Sequence, residues 1–428
     1  MPFSSLGLID PLIQAVSHYS GLTPVQAAAI PVVLKGSDVL ASAETGSGKT
    51  TAFVLPLLQR WLETSKLPHD NARGNCVHTL ILVPTRELAA QVREVVQECS
   101  RHLPQSIKVV SAIGGVSINP QMMALRGGAD VIVATPGRLL DLAERNAVNL
   151  AEVKTLVLDE ADRLLDLGFA DELEQLLNRL PSKRQNLLFS ATFPAAVEAL
   201  ALKLLHDPVR IEIASDPVET PAITQRAIRV DTDKRAPLLR HLIKTEGWKR
   251  VLIFVATQYA ADHVANKLRA NRISALAFHG DLTQGSREEV LTTFKDSQVK
   301  AVVATDLAAR GLDIEKLPVV INYDLPRSAV DYTHRIGRTG RAGEPGVAIS
   351  FVTAESHAHF CLIEKRQGLS ISREEILGFE PTELLLATPK NSDGTGGIKG
   401  RRKSKKDKLR ETAARKSPES PPSSDEAS

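Results

Sequence analysis

The sequence predicts an α/β protein built as two tandem domains, each a parallel sheet flanked by helices, followed by a basic tail with no fold of its own. Three observations lead there. Short apolar runs alternate with helical-period segments through most of the 428 residues, the pattern of βα units laid side by side on a parallel sheet. The chain also exceeds the length over which a single core keeps growing. Finally, Leu80-Ile81-Leu82-Val83-Pro84-Thr85 is echoed by Leu252-Ile253-Phe254-Val255-Ala256-Thr257, and Val131-Ile132-Val133-Ala134-Thr135 by Ala301-Val302-Val303-Ala304-Thr305, as a duplicated domain would give.

In chain order, the first half supplies candidate strands at residues 38–41, 79–83, 131–134, 155–158 and 186–189. The second supplies them at 250–255, 275–278, 300–304, 319–323 and 346–351. Between the two sets, Pro208, Pro217 and Pro221 punctuate a segment suited to a hinge, with the boundary near Ser215. The expected domains are therefore 1–214 and 215–380. From about residue 381 to 428 the periodicity ends in a polar Ser/Pro/Glu-rich stretch, in which residues 399–410 hold eight basic side chains and one acid. Such a composition cannot bury a core, and this tail is expected to be disordered.

The formal charge of +3 favours no partner by itself; the basic tail matters more than the sum. Cys76, Cys99 and Cys361 stand apart, with neither zinc-site spacing nor the density of a disulfide scaffold, which points to a reducing compartment. The start, Met1-Pro2-Phe3-Ser4-Ser5-Leu6, has no basic region leading into an apolar core, and no apolar run reaches membrane-spanning length. A cytoplasmic protein without membrane contact, and with no metal beyond magnesium, is the expectation.

The chemistry-bearing residues sit at predicted strand ends. Residues 43–50 follow a strand and open a helix, the setting of a phosphate-binding loop. Gly46 and Gly48 let backbone N–H groups approach phosphates, Lys49 brings a cation and Thr50 a hydroxyl for magnesium, with Thr45 and Ser47 in the same loop. Behind the strand at 155–158 come Asp159-Glu160-Ala161-Asp162. Asp159 is placed to hold a metal and Glu160 to act as base on water, which suits a magnesium-dependent nucleotide hydrolase. Ser190 and Thr192, at the next strand tip, offer hydroxyls that could bond Asp162 as a relay. In the second half, Arg338 and Arg341 lie three apart in a glycine-punctuated stretch after His334 and Arg335. Arginines reaching across a cleft act as fingers on a transferring phosphate; the plainer alternative is a basic loop for nucleic-acid phosphates, with Arg335 and His334 on the nucleic-acid or coupling side.

Together with Pro84-Thr85-Arg86-Glu87-Leu88-Ala89, Gly114-Gly115, Thr135-Pro136-Gly137-Arg138, Gln284-Gly285-Ser286-Arg287 and residues 304–313, these segments resemble the DEAD-box family of ATP-dependent RNA helicases over residues 3–380, most closely its bacterial RhlE-type members. The resemblance implies two RecA-like domains with ATP and Mg2+ in the cleft and RNA across both. It implies an adenine-reading role for Tyr19, Thr23 and Gln26, although His18 and Leu22 depart from the family pattern there. It implies ribose contacts from Gly311 and Asp313, coupling through Asp162, Ser190, Thr192 and His334, and RNA contacts from Arg86, Gly115, Thr135, Gly137, Arg138, Gln284, Arg287 and Thr305. These are backbone-directed donors, so binding should be sequence-independent, to a single strand or short duplex. The expected activity is local, ATP-driven strand separation by a monomeric core, in ribosome assembly or RNA decay with ribonucleoprotein partners. An ATP-regulated RNA clamp or annealing chaperone is the main rival, and a DNA translocase the more distant one.

Overall fold

The computed structural model describes residues 2–19, 21–43, 46–65, 74–213, 223–309, 317–340 and 345–382. The first sheet contains β1 (Val39–Ser42), β2 (Val77–Leu82), β3 (Val109–Ala112), β4 (Ala129–Ala134), β5 (Thr155–Leu158), β6 (Gln185–Ser190) and β7 (Val209–Glu212). The second contains β8 (Ile223–Arg229), β9 (Val251–Val255), β10 (Ala275–Phe278), β11 (Ala301–Thr305), β12 (Val319–Asn322), β13 (Gly346–Val352) and β14 (Arg373–Glu374). Every pairing within both sheets is parallel. The orders are β3-β4-β2-β5-β6-β1-β7 and β10-β11-β9-β12-β13-β8-β14, which become identical when the second sheet is counted from its own first strand. The sequence echoes fall on equivalent strands, β2 with β9 and β4 with β11.

Helices cover both faces, so alternate residues of the central strands enter opposite cores. Leu80, Leu82, Leu156 and Leu158 pack on one side of the first sheet, and Ile81 and Val157 on the other. In the second sheet Ile253 and Val255 face one core and Leu252 and Phe254 the other. This double burial explains why the sequence marks these strands as unbroken apolar runs.

Four strands lack that mark. β3, β7 and β14 lie at sheet edges and β8 next to one, and their half-exposed, polar-interleaved residues (Val-Arg-Ile-Glu in β7, for example) carry no continuous apolar signal. β7 corrects the hinge: its residues belong to the expected flexible segment, yet they pair in register with β1. The boundary near Ser215 lies outside the described residues, as do tail residues 383–428. The second domain is closed by its last described segment. Arg226 grips Glu374 through Nε and Nη2, Ile376 and Phe379 pack on the core, and Thr382 donates from N and Oγ1 to the buried Asp231 carboxylate at 2.8–2.9 Å. Among the described residues no helix is long and apolar enough to cross a membrane.

Candidate functional site

The C-terminal strand tips gather the chemistry, where open parallel sheets bind ligands. β1 leads into Gly46 and Gly48, at φ +85° and +89°, backbone that only glycine adopts without strain. Lys49 begins the helix Lys49–Ser65; it is buried, and its Nζ donates to Ala43 O at 2.8 Å, folding the amine back across its own loop. Ser47 and Thr50 are partly exposed beside it. Thr45 lies outside the described residues.

Thr23 caps the helix Pro24–Leu34 in a reciprocal box with Gln26, whose Oε1 accepts from Thr23 N at 2.9 Å. Gln26 Nε2 donates to Gly48 O at 3.3 Å, and a Cβ at Gly48 would come within 2.5 Å of that nitrogen. The expected adenine-reading amide is thus also a strut that holds the phosphate loop. Tyr19 stands exposed against the His18 ring, 4.1 Å between centroids.

β5 delivers Asp159, buried to 2%. Burial raises its carboxyl from 3.8 to about 6; nearby Lys49 draws it down, while Glu160 and Asp162 push it up. Glu160 follows in the left-handed region at φ 52°, ψ 53°, a conformation that costs a non-glycine residue roughly 1–2 kcal/mol. Its N–H donates to Asp159 Oδ1 at 3.0 Å, and its Oε2 lies 3.3 Å from Arg163 Nη1. Glu160 Oε2 and both terminal nitrogens of Arg163 are buried without a directed hydrogen bond among the described residues. The unfavourable backbone and the buried oxygen without a directed partner single out Glu160 as a candidate functional position.

Asp162 is a relay in geometry. Its Oδ2 accepts from Thr192 N and Oγ1 at 3.0 and 2.7 Å, its N–H donates to Ser190 Oγ at 3.2 Å, and Ser190 Oγ donates to Thr192 O. From the second domain, His334 comes within electrostatic reach of Arg163 and Asp162. Burial, then the charge of Arg163, holds its imidazole down at about 4. A histidine that is neutral here but titrates near 6.5 when solvated makes closure of the two domains proton-sensitive. The stability it lends is complete above about pH 6.5 and is lost as pH falls toward 4. Fluorescence transfer between dyes on the two domains should therefore report weaker closure at pH 5 than at pH 8, and His334→Asn should shrink that difference; an unchanged difference would remove His334 as its source.

Arg338 is buried just past the helix Ala329–Ile336, and Arg341, Gly311 and Asp313 lie outside the described residues. Arg335 corrects the expectation of a nucleic-acid or coupling contact. It is buried, bidentate to Asp306 at 2.5 and 2.7 Å, and bonded to Asn322 Oδ1 and Asp324 O, which makes it a brace of the second domain.

A second cluster borders the domain junction. Thr85 caps the helix Arg86–Ser100, and the Arg86 guanidinium lies over Gly115, where a Cβ would come within 1.8 Å of Nη1. Burial lowers the Arg86 pKa and the like charges of Arg287 and Arg138 lower it further, against the pull of Glu87; guanidiniums crowded in this way suit an anion. Thr135 stands at the N-cap position of the helix Pro136–Glu144 without a side-chain capping bond, Gly137 on the first turn has open space beside it, and Arg138 donates to Val116 O at 2.9 Å. Gln284 opens the helix Gln284–Lys295, its Nε2 on Glu288 and its Oε1 buried without a partner among the described residues; Thr305 ends β11.

Arg287, expected on the same nucleic-acid path, is otherwise engaged. Its Nε donates to Glu87 Oε1 across the domain boundary at 2.7 Å, Nη1 donates to His279 O, and the guanidinium covers the Phe278 ring. Nothing in the linear pattern singles out Glu87, whose partner Arg287 lies 200 residues away, or Arg163, whose ion partner Glu160 is three residues back but which is also felt by the distant His334.

The DEAD/DEAH box helicase family model matches residues 23–200, and the helicase conserved C-terminal domain model matches residues 233–343. The chain is 40% identical over 376 residues to the ATP-dependent RNA helicase DeaD of Mycobacterium tuberculosis, covering 87% of this chain and 65% of that protein. It is 36% identical over 397 residues to the DEAD-box ATP-dependent RNA helicase RhpA of Helicobacter pylori, covering 92% and 78%. The chain thus spans just under two thirds of the first relative's length. Among solved structures, S. cerevisiae Dbp5 bound to RNA and ADP BeF3 superposes with a TM-score of 0.75 at 32% identity, covering 87% of this chain and 95% of that one. Mss116 bound to ssRNA and UDP-BeF gives 0.77 at 27% identity, covering 89% and 80%.

Proposed function

Because the chain belongs to the DEAD-box family of ATP-dependent RNA helicases, we propose that it hydrolyses ATP in the cleft between its domains and uses the cycle to separate short RNA duplexes locally. One observation carries this reading: Lys49, Asp159 and Glu160 of the first domain share a buried centre with the Asp162–Arg163 pair, and His334 of the second domain stands within electrostatic reach of that pair. The centre is complete only when both domains contribute.

The donor set suits magnesium. The Asp159 carboxylate and the Thr50 hydroxyl are hard oxygen donors, and the burial-raised Asp159 favours a cation beside it. Bound there with the nucleotide phosphates, the ion would neutralise charge on the transferring group. In this proposal the loop from Gly46 to Thr50 holds the phosphates, Glu160 takes a proton from the attacking water, and Arg338 with Arg341 meets the charge that develops on the γ-phosphate. Asp162, Ser190, Thr192 and His334 couple that event to domain closure. Arg86, Gly115, Thr135, Gly137, Arg138, Gln284 and Thr305 hold the RNA backbone. Arg287 holds the junction itself. The three free cysteines suit a reducing cytoplasm, and the basic run beyond residue 391 suits the RhlE-type likeness.

ATPase assays with RNA and DNA of equal length, beside strand separation of a short RNA duplex with ATP or a non-hydrolysable analogue, test the proposal. RNA should stimulate turnover far more than DNA, and ATP should separate strands faster than the analogue. RNA-stimulated turnover with no gain in separation would favour the clamp or annealing chaperone; equal stimulation by DNA would favour the translocase.

A further inference from the structure

We propose that Tyr259, backed by His263, is a stacking platform for one unpaired base of the bound RNA; this deepens the RNA-binding reading above and rests on it. The argument begins with the duplication. In the first domain β2 ends at a capping threonine, Thr85, and the next residue is Arg86, which points into the guanidinium cluster over Gly115. In the second domain the equivalent strand β9 ends at Thr257, which caps the helix Gln258–Ala270 in the same way by accepting from Ala260 N. The two caps share nearly the same backbone, φ −131° and −135° with ψ 157° in both. The corner that presents Arg86 and Glu87 in one domain therefore presents Gln258 and Tyr259 in the other.

Tyr259 is 78% exposed, which for a ring of that size on a helix surface gains little from the fold. It is nonetheless ordered against a neighbour: the His263 ring, one turn along, lies 5.8 Å away at 14°, nearly parallel. One side of the tyrosine is thus supported while most of the ring stays in solvent, as a platform requires.

The corner also abuts the expected RNA path. A Cβ at Gly280 would come within 3.2 Å of Gln258 Nε2, and Asp262 Oδ2 lies 3.2 Å from His279 Nε2. The first turns of this helix are therefore packed on the loop that runs from His279 to Thr283 and into Gln284. The occupant that fits is a nucleobase. Every base has a π-face, so stacking adds affinity without reading sequence and complements contacts made otherwise only to the backbone. It also favours a strand whose bases are unpaired, as the released strand of a duplex is.

The test uses the full chain with a non-hydrolysable ATP analogue and a short single-stranded RNA in which 2-aminopurine is moved along the strand. In the unsubstituted protein one position should be quenched, and an abasic nucleotide at that position should weaken binding about tenfold. Tyr259→Ala should lose the quench, bind the intact strand about tenfold more weakly, and become indifferent to the abasic change. Tyr259→Phe should keep both quench and affinity. RNA-free ATP turnover and the thermal midpoint should be unchanged in both variants. An alanine variant that kept the quench and bound within about twofold would overturn the platform, as would a phenylalanine variant that failed like alanine. If the unsubstituted protein bound no RNA at all, the RNA reading itself would fall, and the platform with it.

Discussion

Glu160→Gln is expected to lower RNA-stimulated ATP turnover by on the order of 10²–10⁴-fold, the range for loss of a positioned general base, while nucleotide and RNA affinities stay near those of the unsubstituted protein. The substitution keeps size and hydrogen-bonding reach but removes the negative charge, and it leaves Asp159, whose Oδ1 takes the residue-160 N–H, in place. It also leaves Arg163 without its 3.3 Å counter-charge, so a thermal midpoint must accompany the kinetics to separate lost chemistry from lost stability. Glu160→Asp is the informative companion. It retains the charge and shortens the arm, and should be impaired through geometry alone. Turnover of the glutamine variant within about tenfold of the unsubstituted protein would exclude Glu160 as the base.

The second large effect is expected at Arg338. Its side chain is buried and lies within electrostatic reach of His334, which a loop serving only solvent-exposed RNA phosphates would not need. Arg338→Ala should lower single-turnover hydrolysis about 10³-fold, as for loss of an arginine finger, with far less effect on RNA affinity in the absence of nucleotide. Arg338→Lys should recover little, since a point charge replaces a planar fork. The reverse result, with nucleotide-free RNA affinity collapsing and hydrolysis surviving, would make Arg338 an RNA phosphate contact.

What was legible in the sequence follows from how locally each feature is encoded. The central strands announce themselves because burial on both faces forces unbroken apolar runs. The candidate catalytic groups could be placed because strand tip, loop and helix start are contiguous: Lys49 follows β1 within one loop, and Asp159 to Asp162 follow β5 directly. β3, β7, β8 and β14 were lost because one face or one end meets water, whereas the edge strand β10 kept a short apolar run. β7 was read as hinge since prolines and charges flank it, although its register with β1 is regular. Two further readings turn on partners. Arg335 and Arg287 have the right residue type for phosphate binding, yet Asp306 and Glu87 claim them, and nothing in a linear pattern shows that a guanidinium has already been claimed. Gln26, expected to read adenine, likewise turns out to brace Gly48.

The Glu87–Arg287 contact has a consequence for cycling. Both partners are nearly dry, 5% and 7% exposed at their side chains, and they belong to opposite halves of the chain. Stripping water from two such ions costs about as much as their attraction returns, so a pair of this kind adds little net depth to the joined state. What it contributes is alignment, because a displaced neighbour leaves an uncompensated charge in a dry place. The pair behaves like the detent of a ratchet, indexing one angular setting sharply while holding it only lightly. An oily joint of similar extent would clamp the halves together, whereas a joint of this kind, in the proposed cycle, would let them part once hydrolysis removed the reason to stay.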